Sequence, residues 1–198
     1  MTILDFDEIE KYQEVKTWLL SLTPSQLMEN KKRAVDVVWD LLEYLYMLGF
    51  REATEEVGGL AEEVKSVLPK DYDELTDSQK KEADKAIYKK FDNKDFQDRV
   101  RQYAEMGNVN DIIRVVETDG NRVYNTGGLN GAKGHFKYKT WNTMQDDRVR
   151  DTHDYLEGIT VPIEDKFVTY DGDEADEPCG FTKVENNARC RCWLEFSN

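Results

Sequence analysis

Apolar residues recur at helical spacing through about the first two-thirds of the chain. The longest of these stripes predicts a helix that ends at the glycine pair Gly58-Gly59 and carries polar residues on its opposite face. The apolar positions of that stripe are Ala34, Val38, Leu41, Leu45 and Leu48. Other helices are predicted over residues 6–22, 60–68, 77–91 and 96–106, and from about residue 112 to a break near Gly127-Gly128.

Two of these helices have a recognisable start. Thr23 and Gln26 form a potential capping box, and so do Thr76 and Gln79. Pro24 stands at the first helical position, where its missing N–H costs nothing.

The periodicity changes after Gly134. Residues 136–144 alternate in the manner of a strand, with Tyr138 on one face and Trp141 on the other. Strand-like stretches follow between residues 159 and 170, and a closing strand is predicted from Cys190 to Phe196. The sequence therefore predicts an α+β fold, with a helical region over residues 1–107 and a small C-terminal module of short strands over residues 108–198.

Charge and composition narrow the classes of function. Asp and Glu exceed Lys and Arg by 41 to 27, and a net charge of −14 opposes sequence-specific binding to nucleic acid unless a local basic patch exists. No apolar run of about 18 residues is present, so no membrane span is expected. Three cysteines are an odd number, which argues against a full disulfide framework and favours a reducing compartment.

The candidate chemistry is concentrated between positions 153 and 192. If Cys190 and Cys192 lie in a strand, their side chains point to the same face and can meet one partner. His153, together with either Cys179 or a carboxylate such as Asp147, would complete four zinc-type ligands. Two alternatives remain open: the cysteines are small core residues, and the histidine is a hydrogen-bonded structural residue.

A dense polar cluster precedes this histidine. Its members would serve, together with His153, either in an acid–base site or in an Arg–Asp network that braces a turn; they are Asp146, Asp147, Arg148, Arg150 and Asp151. The chain has no phosphate-binding loop, no dinucleotide fingerprint, no H-E-x-x-H and no G-x-S-x-G. The spacing around His153 and Cys179 also does not match that of a zinc deaminase.

Two further pairs of residues are candidates for structural or binding roles. Arg114 and Glu117 are three apart on a predicted helix, where they form either a local ion pair or a pair that fixes the helix to the C-terminal module. Trp141 and Trp193 are candidate contact residues if they are exposed and core residues if they are not.

The order of these residues resembles one protein family. The pattern runs Trp141, Asp146-x-Arg148-x-Arg150-x-x-His153, Leu156-x-Gly158 and Cys190-Arg191-Cys192. It is similar to that of the phage Mu F-like minor head proteins, and the resemblance covers about residues 35–193. The family usually has asparagine directly before the C-R-C motif, where this chain has Arg189, and a Pro-Gly loop where this chain has Pro178-Cys179-Gly180.

The resemblance implies a low-copy protein of the virion head, made in the host cytoplasm. Its partners would be portal and capsid proteins, and it would act in head assembly near the portal and in DNA packaging or ejection. The alternative is a metal-dependent enzyme or a toxin-related module that uses Asp147, His153, Cys190 and Cys192, with zinc as its expected cofactor.

Overall fold

A computed structural model describes residues 3–55, 69 and 72–198 of the chain. The helices are α1 (Glu10–Ser21), α2 (Pro24–Glu29), α3 (Lys31–Glu55), α4 (Asp77–Ile87), α5 (Phe96–Glu105), α6 (Val109–Ala132), α7 (Asp151–Asp154) and α8 (Val184–Asn187). The strands are β1 (Tyr138–Asn142), β2 (Thr160–Pro162), β3 (Phe167–Val168), β4 (Glu174–Ala175) and β5 (Trp193–Ser197). The prediction of an α+β fold is confirmed.

The small sheet has β1 at its centre. Strands β2 and β5 pair with β1 on either side, both antiparallel, and β3 forms a separate two-stranded ladder with β4. The closing strand begins at Trp193 rather than at Cys190, so both cysteines of the C-R-C motif lie in the segment before the strand.

Both predicted capping boxes are confirmed, but the one at Thr23 opens the short helix α2, and the long apolar stripe belongs to a separate helix, α3, that begins at Lys31. Both capping boxes form, with the Thr23 and Thr76 hydroxyls each accepting a hydrogen bond from the backbone N–H of the glutamine three residues on. Helix α4 ends at Ile87, earlier than predicted. The predicted helix over residues 60–68 and the stop at Gly58-Gly59 lie outside the described residues.

Helices α3 and α6 form the centre of the molecule and approach each other backbone to backbone. A Cβ atom on Gly127 would lie 2.1 Å from the Tyr46 carbonyl oxygen, and one on Gly131 would lie 2.5 Å from the Phe50 carbonyl oxygen. Residue numbers therefore increase in the same direction along both helices, from Tyr46 to Phe50 on α3 and from Gly127 to Gly131 on α6, so the two helices are parallel. The predicted break near Gly127-Gly128 is therefore wrong: α6 continues to Ala132, because these glycines provide the close packing surface.

Two apolar clusters flank this pair of helices. One is formed by the N-terminal helices, and the other by Trp141, Leu156, Phe167, Phe181 and the three cysteines. Helix α6 contributes to both clusters, through Val123 in the first and Leu129 in the second. The boundary near Asn108 stays a prediction. Among the described helices, none combines the length and apolar character needed to span a bilayer.

Candidate metal centre

Short elements bring one histidine and two cysteines together. His153 lies on the single-turn helix α7, which follows β1 after a loop. Cys190 and Cys192 precede β5, and β5 pairs with β1 so that Trp141 faces Leu194 and Asn142 faces Trp193. The strand pairing thus carries the cysteine segment to the loop that supplies the histidine.

The three side chains meet through one ring nitrogen. His153 Nδ1 lies 3.6 Å from Cys190 Sγ and 3.4 Å from Cys192 Sγ. The three candidate ligand atoms all lie within 4.8 Å of one another, and all three residues are buried. The structure therefore joins three of the four residues that the sequence singled out as metal ligands.

Aromatic rings enclose the imidazole. Trp141 packs edge-on against His153 with ring centroids 5.5 Å apart, and Phe181 lies at the same centroid distance. His153 Nε2 is buried and has no hydrogen-bond partner among the described residues. A polar nitrogen thus remains unsatisfied in a well-packed apolar shell, which is uncommon in folded proteins.

The three thiols differ in acidity. Burial by itself raises the pKa of Cys190, but hydrogen bonds involving Cys179, Cys192 and His153 outweigh it and place the pKa of this thiol well below its usual range. The hydrogen bond to Cys190, together with burial, raises the pKa of Cys192, and burial raises the pKa of Cys179. The thiolate is the form of cysteine that binds metals, and the surroundings favour it at Cys190.

Two asparagines of α6 hold the cysteine segment in place. Asn121 Nδ2 donates to the backbone carbonyls of Cys190 at 3.0 Å and Cys192 at 3.2 Å. Asn125 Nδ2 donates to the Cys192 carbonyl at 3.3 Å, and the Leu194 N–H donates to Asn125 Oδ1 at 3.2 Å. This role was not predicted; the sequence signal for it is two amides four residues apart, which places them on one face of the helix.

Cys179 lies beside the cluster. Its Sγ atom accepts from Asn121 Nδ2 at 3.6 Å and lies 3.8 Å from the Cys190 carbonyl oxygen. The residue is fully buried and has a left-handed backbone with φ of 62°. That conformation suits glycine far better than cysteine, so this turn is strained.

Asp147 does not join the cluster. It is exposed and lies outside the group formed by His153 and the two cysteines. Its neighbour Asp146 carries the local ion pairs, with Arg191 Nη2 at 2.7 Å and Arg148 Nη2 at 3.4 Å. The hydrogen bond from Arg191 lowers the pKa of Asp146 to about 2. The polar cluster therefore braces the loop before α7, and the carboxylate that does so belongs to Asp146.

Other predicted site residues have structural contacts. Arg150 donates to the Ala188 carbonyl and so links the start of α7 to the end of α8. Trp141 is completely buried, which makes it a core residue, and Trp193 is half-buried at the start of β5. Arg114 pairs with Asp111 at 2.7 Å, and Glu117 accepts a hydrogen bond from the Tyr12 hydroxyl at 2.6 Å. The two residues of this predicted pair thus have different partners.

Five of the predicted residues line one cleft. A cavity of about 1310 Å³ lies between the N-terminal helices and the C-terminal module, and it is lined by Arg114, Glu117, Arg148, Arg150 and Cys190. Its basic lining residues are Lys16, Lys94, Arg99, Arg114, Arg148, Arg150, Arg189 and Arg191, and its acidic ones are Asp5, Asp7, Asp92 and Glu117. The cleft is a locally basic surface on an acidic protein.

A second buried polar cluster lies in the same module. Asp173 accepts hydrogen bonds from the backbone N–H of Thr182 at 3.1 Å and of Lys183 at 3.1 Å, and from Asn186 Nδ2 at 2.9 Å. Burial by itself raises the pKa of Asp173, but these bonds and one from the Thr182 hydroxyl lower it to about 2. This carboxylate therefore organises the chain around α8.

Comparison with known proteins gives one match. A family model described as Phage Mu protein F like protein matches residues 77–195, which is more than half of the chain. No curated protein and no solved structure matches the chain. The matched segment contains the histidine, all three cysteines, both asparagines of α6 and most residues of the cleft.

Proposed function

Since the chain belongs to the family of phage Mu F-like proteins, we propose that it is a minor head protein of a phage or prophage and acts in head morphogenesis near the portal. The observation that carries this proposal is the family match over residues 77–195. The chain would act in the host cytoplasm during assembly and in the virion head afterwards.

We propose that the basic cleft is the surface that binds another head protein. It lies where the N-terminal helices meet the family-matched segment, and eight basic residues face it against four acidic ones. Several of these arginines already have carboxylate partners, including Arg99 with Asp119 and Arg114 with Asp111. Arg189 is exposed and pairs with no carboxylate in the described part of the chain, so it is the cation best placed to meet a partner.

The expected occupant is an acidic segment of the portal or major capsid protein. Arginine is enriched at the energetic centres of protein interfaces, and its planar guanidinium matches a carboxylate. Double-stranded DNA is a weaker candidate because the net charge of −14 repels phosphates at longer range.

Burial argues for a structural rather than a catalytic role of the thiol–imidazole cluster. His153 is 1% exposed, Cys192 is 4% exposed, and Cys190, which borders the cleft, is 5% exposed, so a substrate would have little access to these side chains. A catalytic metal needs a coordination position that substrate or water can reach. We therefore propose an assembly protein rather than a metal-dependent enzyme.

Copurification tests the proposed function. The tagged chain is co-expressed with the portal protein and, separately, with the major capsid protein of the same phage, and capture is quantified. Arg189→Glu should reduce capture at least about tenfold, because it places a like charge against an acidic segment. Arg51→Glu is the matched control, since Arg51 is an exposed arginine of α3 that does not line the cleft.

Three outcomes would contradict all or part of the proposal. Wild-type protein that captures neither partner would oppose the assignment to head assembly. Equal loss of capture in Arg189→Glu and Arg51→Glu would oppose the cleft as the contact surface. Binding of double-stranded DNA in place of either protein, with the same dependence on Arg189, would identify the occupant as nucleic acid.

A further inference from the structure

The separations within the thiol–imidazole cluster are those of ligands around a single zinc ion. With zinc–sulfur bonds of about 2.3 Å and zinc–nitrogen bonds of about 2.0–2.1 Å, a tetrahedral site has nitrogen–sulfur edges of about 3.5 Å. The observed distances from His153 Nδ1 to Cys190 Sγ and Cys192 Sγ are 3.6 Å and 3.4 Å. Both nitrogen–sulfur edges thus already have the length that one tetrahedral ion would require, and the two sulfurs lie within 4.8 Å of each other.

Hydrogen bonds alone are a poor explanation for the cluster. Thiols are weak donors and acceptors, so their contacts with the imidazole contribute little. His153 is nevertheless fully buried, and the two thiols are the partners of its Nδ1 atom. Burying a polar group against such weak partners is costly, and an ion bound to Nδ1 would replace these contacts with coordination bonds.

Cys179 is the candidate for a fourth corner, although its Sγ atom lies outside the group of ligand atoms formed by His153, Cys190 and Cys192. It is buried against the backbone of Cys190, and its Sγ atom lies 3.8 Å from the Cys190 carbonyl oxygen. Its left-handed backbone, with φ of 62°, places a side chain where a glycine would be unstrained. Strain of this kind is retained where the surroundings require that side chain. Asp147, the other residue considered, is exposed.

We propose that His153, Cys190, Cys192 and Cys179 bind one zinc ion in a closed structural site. His153 would ligate through Nδ1 and each cysteine through its thiolate, with Cys179 joining after a change of side-chain rotamer. Three thiolates and one imidazole are a common ligand set for structural zinc. The proposal does not depend on the role in head assembly.

Such an ion would join three separate parts of the module. It would connect α7, the loop that contains Cys179 and the segment before β5. Each of these pieces is short, and α7 has a single turn. A structural zinc ion contributes folding free energy directly in small domains of this kind.

Metal analysis of the full-length protein tests the site. The chain is purified with a thiol reductant, reconstituted with zinc and dialysed, and bound zinc is measured per chain. We expect one zinc per wild-type chain, and His153→Gln and Cys192→Ser should lose it. His135→Gln is the matched control, since His135 is the other histidine of the chain and is exposed, and it should retain zinc.

X-ray absorption of the zinc-loaded wild-type protein tests the ligand set without any variant, so misfolding cannot obscure the result. The proposal predicts one nitrogen at about 2.0–2.1 Å and three sulfurs at about 2.3 Å. Cys179→Ser should weaken zinc binding at least about tenfold and reduce the sulfur count to two.

Three results would overturn all or part of the site. Wild-type protein that binds no zinc, with its thiols freely titratable after unfolding, would refute the metal site. A shell of oxygen ligands would do the same. Two sulfurs in the wild-type spectrum, unchanged in Cys179→Ser, would refute the assignment of the fourth ligand.

Discussion

The two regions of the molecule are held together by different interactions. The N-terminal helices bury long apolar stripes, and α3 and α6 touch through glycines. The C-terminal module has strands of two to five residues and buries an unusual number of polar side chains, among them His153, Asp173, Asn186 and Asn187.

The difference shows how a small module can fold into one defined structure without a large apolar core. Strands this short offer few ladder hydrogen bonds and little apolar area. Buried polar groups with several well-defined partners then fix the path of the chain, because each is costly to leave unsatisfied. Asp173, which fastens residues 182–186, is the clearest case.

The largest effect is expected at the contact between the two long helices. Gly127→Ala would place a Cβ atom 2.1 Å from the Tyr46 carbonyl oxygen, so α3 and α6 must separate. We expect a loss of about 4 kcal/mol or more in the free energy of unfolding, measured by urea denaturation.

Gly120→Ala on the same helix is the matched control. Its added Cβ would meet only side-chain ends, with Leu45 Cδ1 at 2.8 Å as the nearest atom. The gain in helix propensity of about 1 kcal/mol should offset most of that strain. Equal losses in the two variants would contradict the proposed backbone contact.

A smaller, pH-dependent effect is expected at Asp173. Asp173→Asn replaces an acceptor of several hydrogen bonds and should cost about 2–3 kcal/mol at neutral pH. The pKa of this carboxyl is about 2 in the folded protein, below the unfolded value of about 3.9. Its stabilisation is therefore complete above about pH 4 and is lost as the pH falls through 2.

The free energies of unfolding of the wild type and of Asp173→Asn, measured in parallel from pH 7 to pH 2, test this pH dependence. The difference in stability should shrink as the pH falls. A difference that is constant over that range would show that the carboxylate form of Asp173 is not what stabilises the module.

The smallest effect is expected at Arg189, which has a left-handed backbone with φ of 54°. Asparagine tolerates this conformation better than arginine, so Arg189→Asn should raise stability by about 0.5 kcal/mol. Arg189→Val should lower it by about 1 kcal/mol, since a β-branched residue is strained there. Thermal unfolding should give the highest melting temperature for Arg189→Asn and the lowest for Arg189→Val, and equal melting temperatures would contradict this prediction.

The helices were predictable because their signals are local. Both capping boxes and the apolar stripe of α3 need only neighbouring residues, and both are confirmed. The break predicted at Gly127-Gly128 failed because a glycine pair can end a helix or bring two helices close together. Only the position of Tyr46 on the facing helix decides between these two outcomes.

The candidate site was predictable where rare residue types mark it. Histidine and cysteine are few in this chain, so His153, Cys190 and Cys192 could be grouped from the sequence. Aspartate and asparagine are common, and their roles depend on which backbone groups the fold brings near them. For that reason Asp147 was named as a possible metal ligand although it lies outside the cluster, and the clamp formed by Asn121 and Asn125 was not foreseen.

Hydrogen exchange with and without a strong zinc chelator tests most directly the claim that a buried metal centre holds the module together. After removal of the metal, we predict faster exchange of the amides in β1 and β5, with little change in α3 and the first turns of α6. Unchanged protection of β1 and β5 in chelator would contradict the claim, and so would a loss spread evenly over both regions.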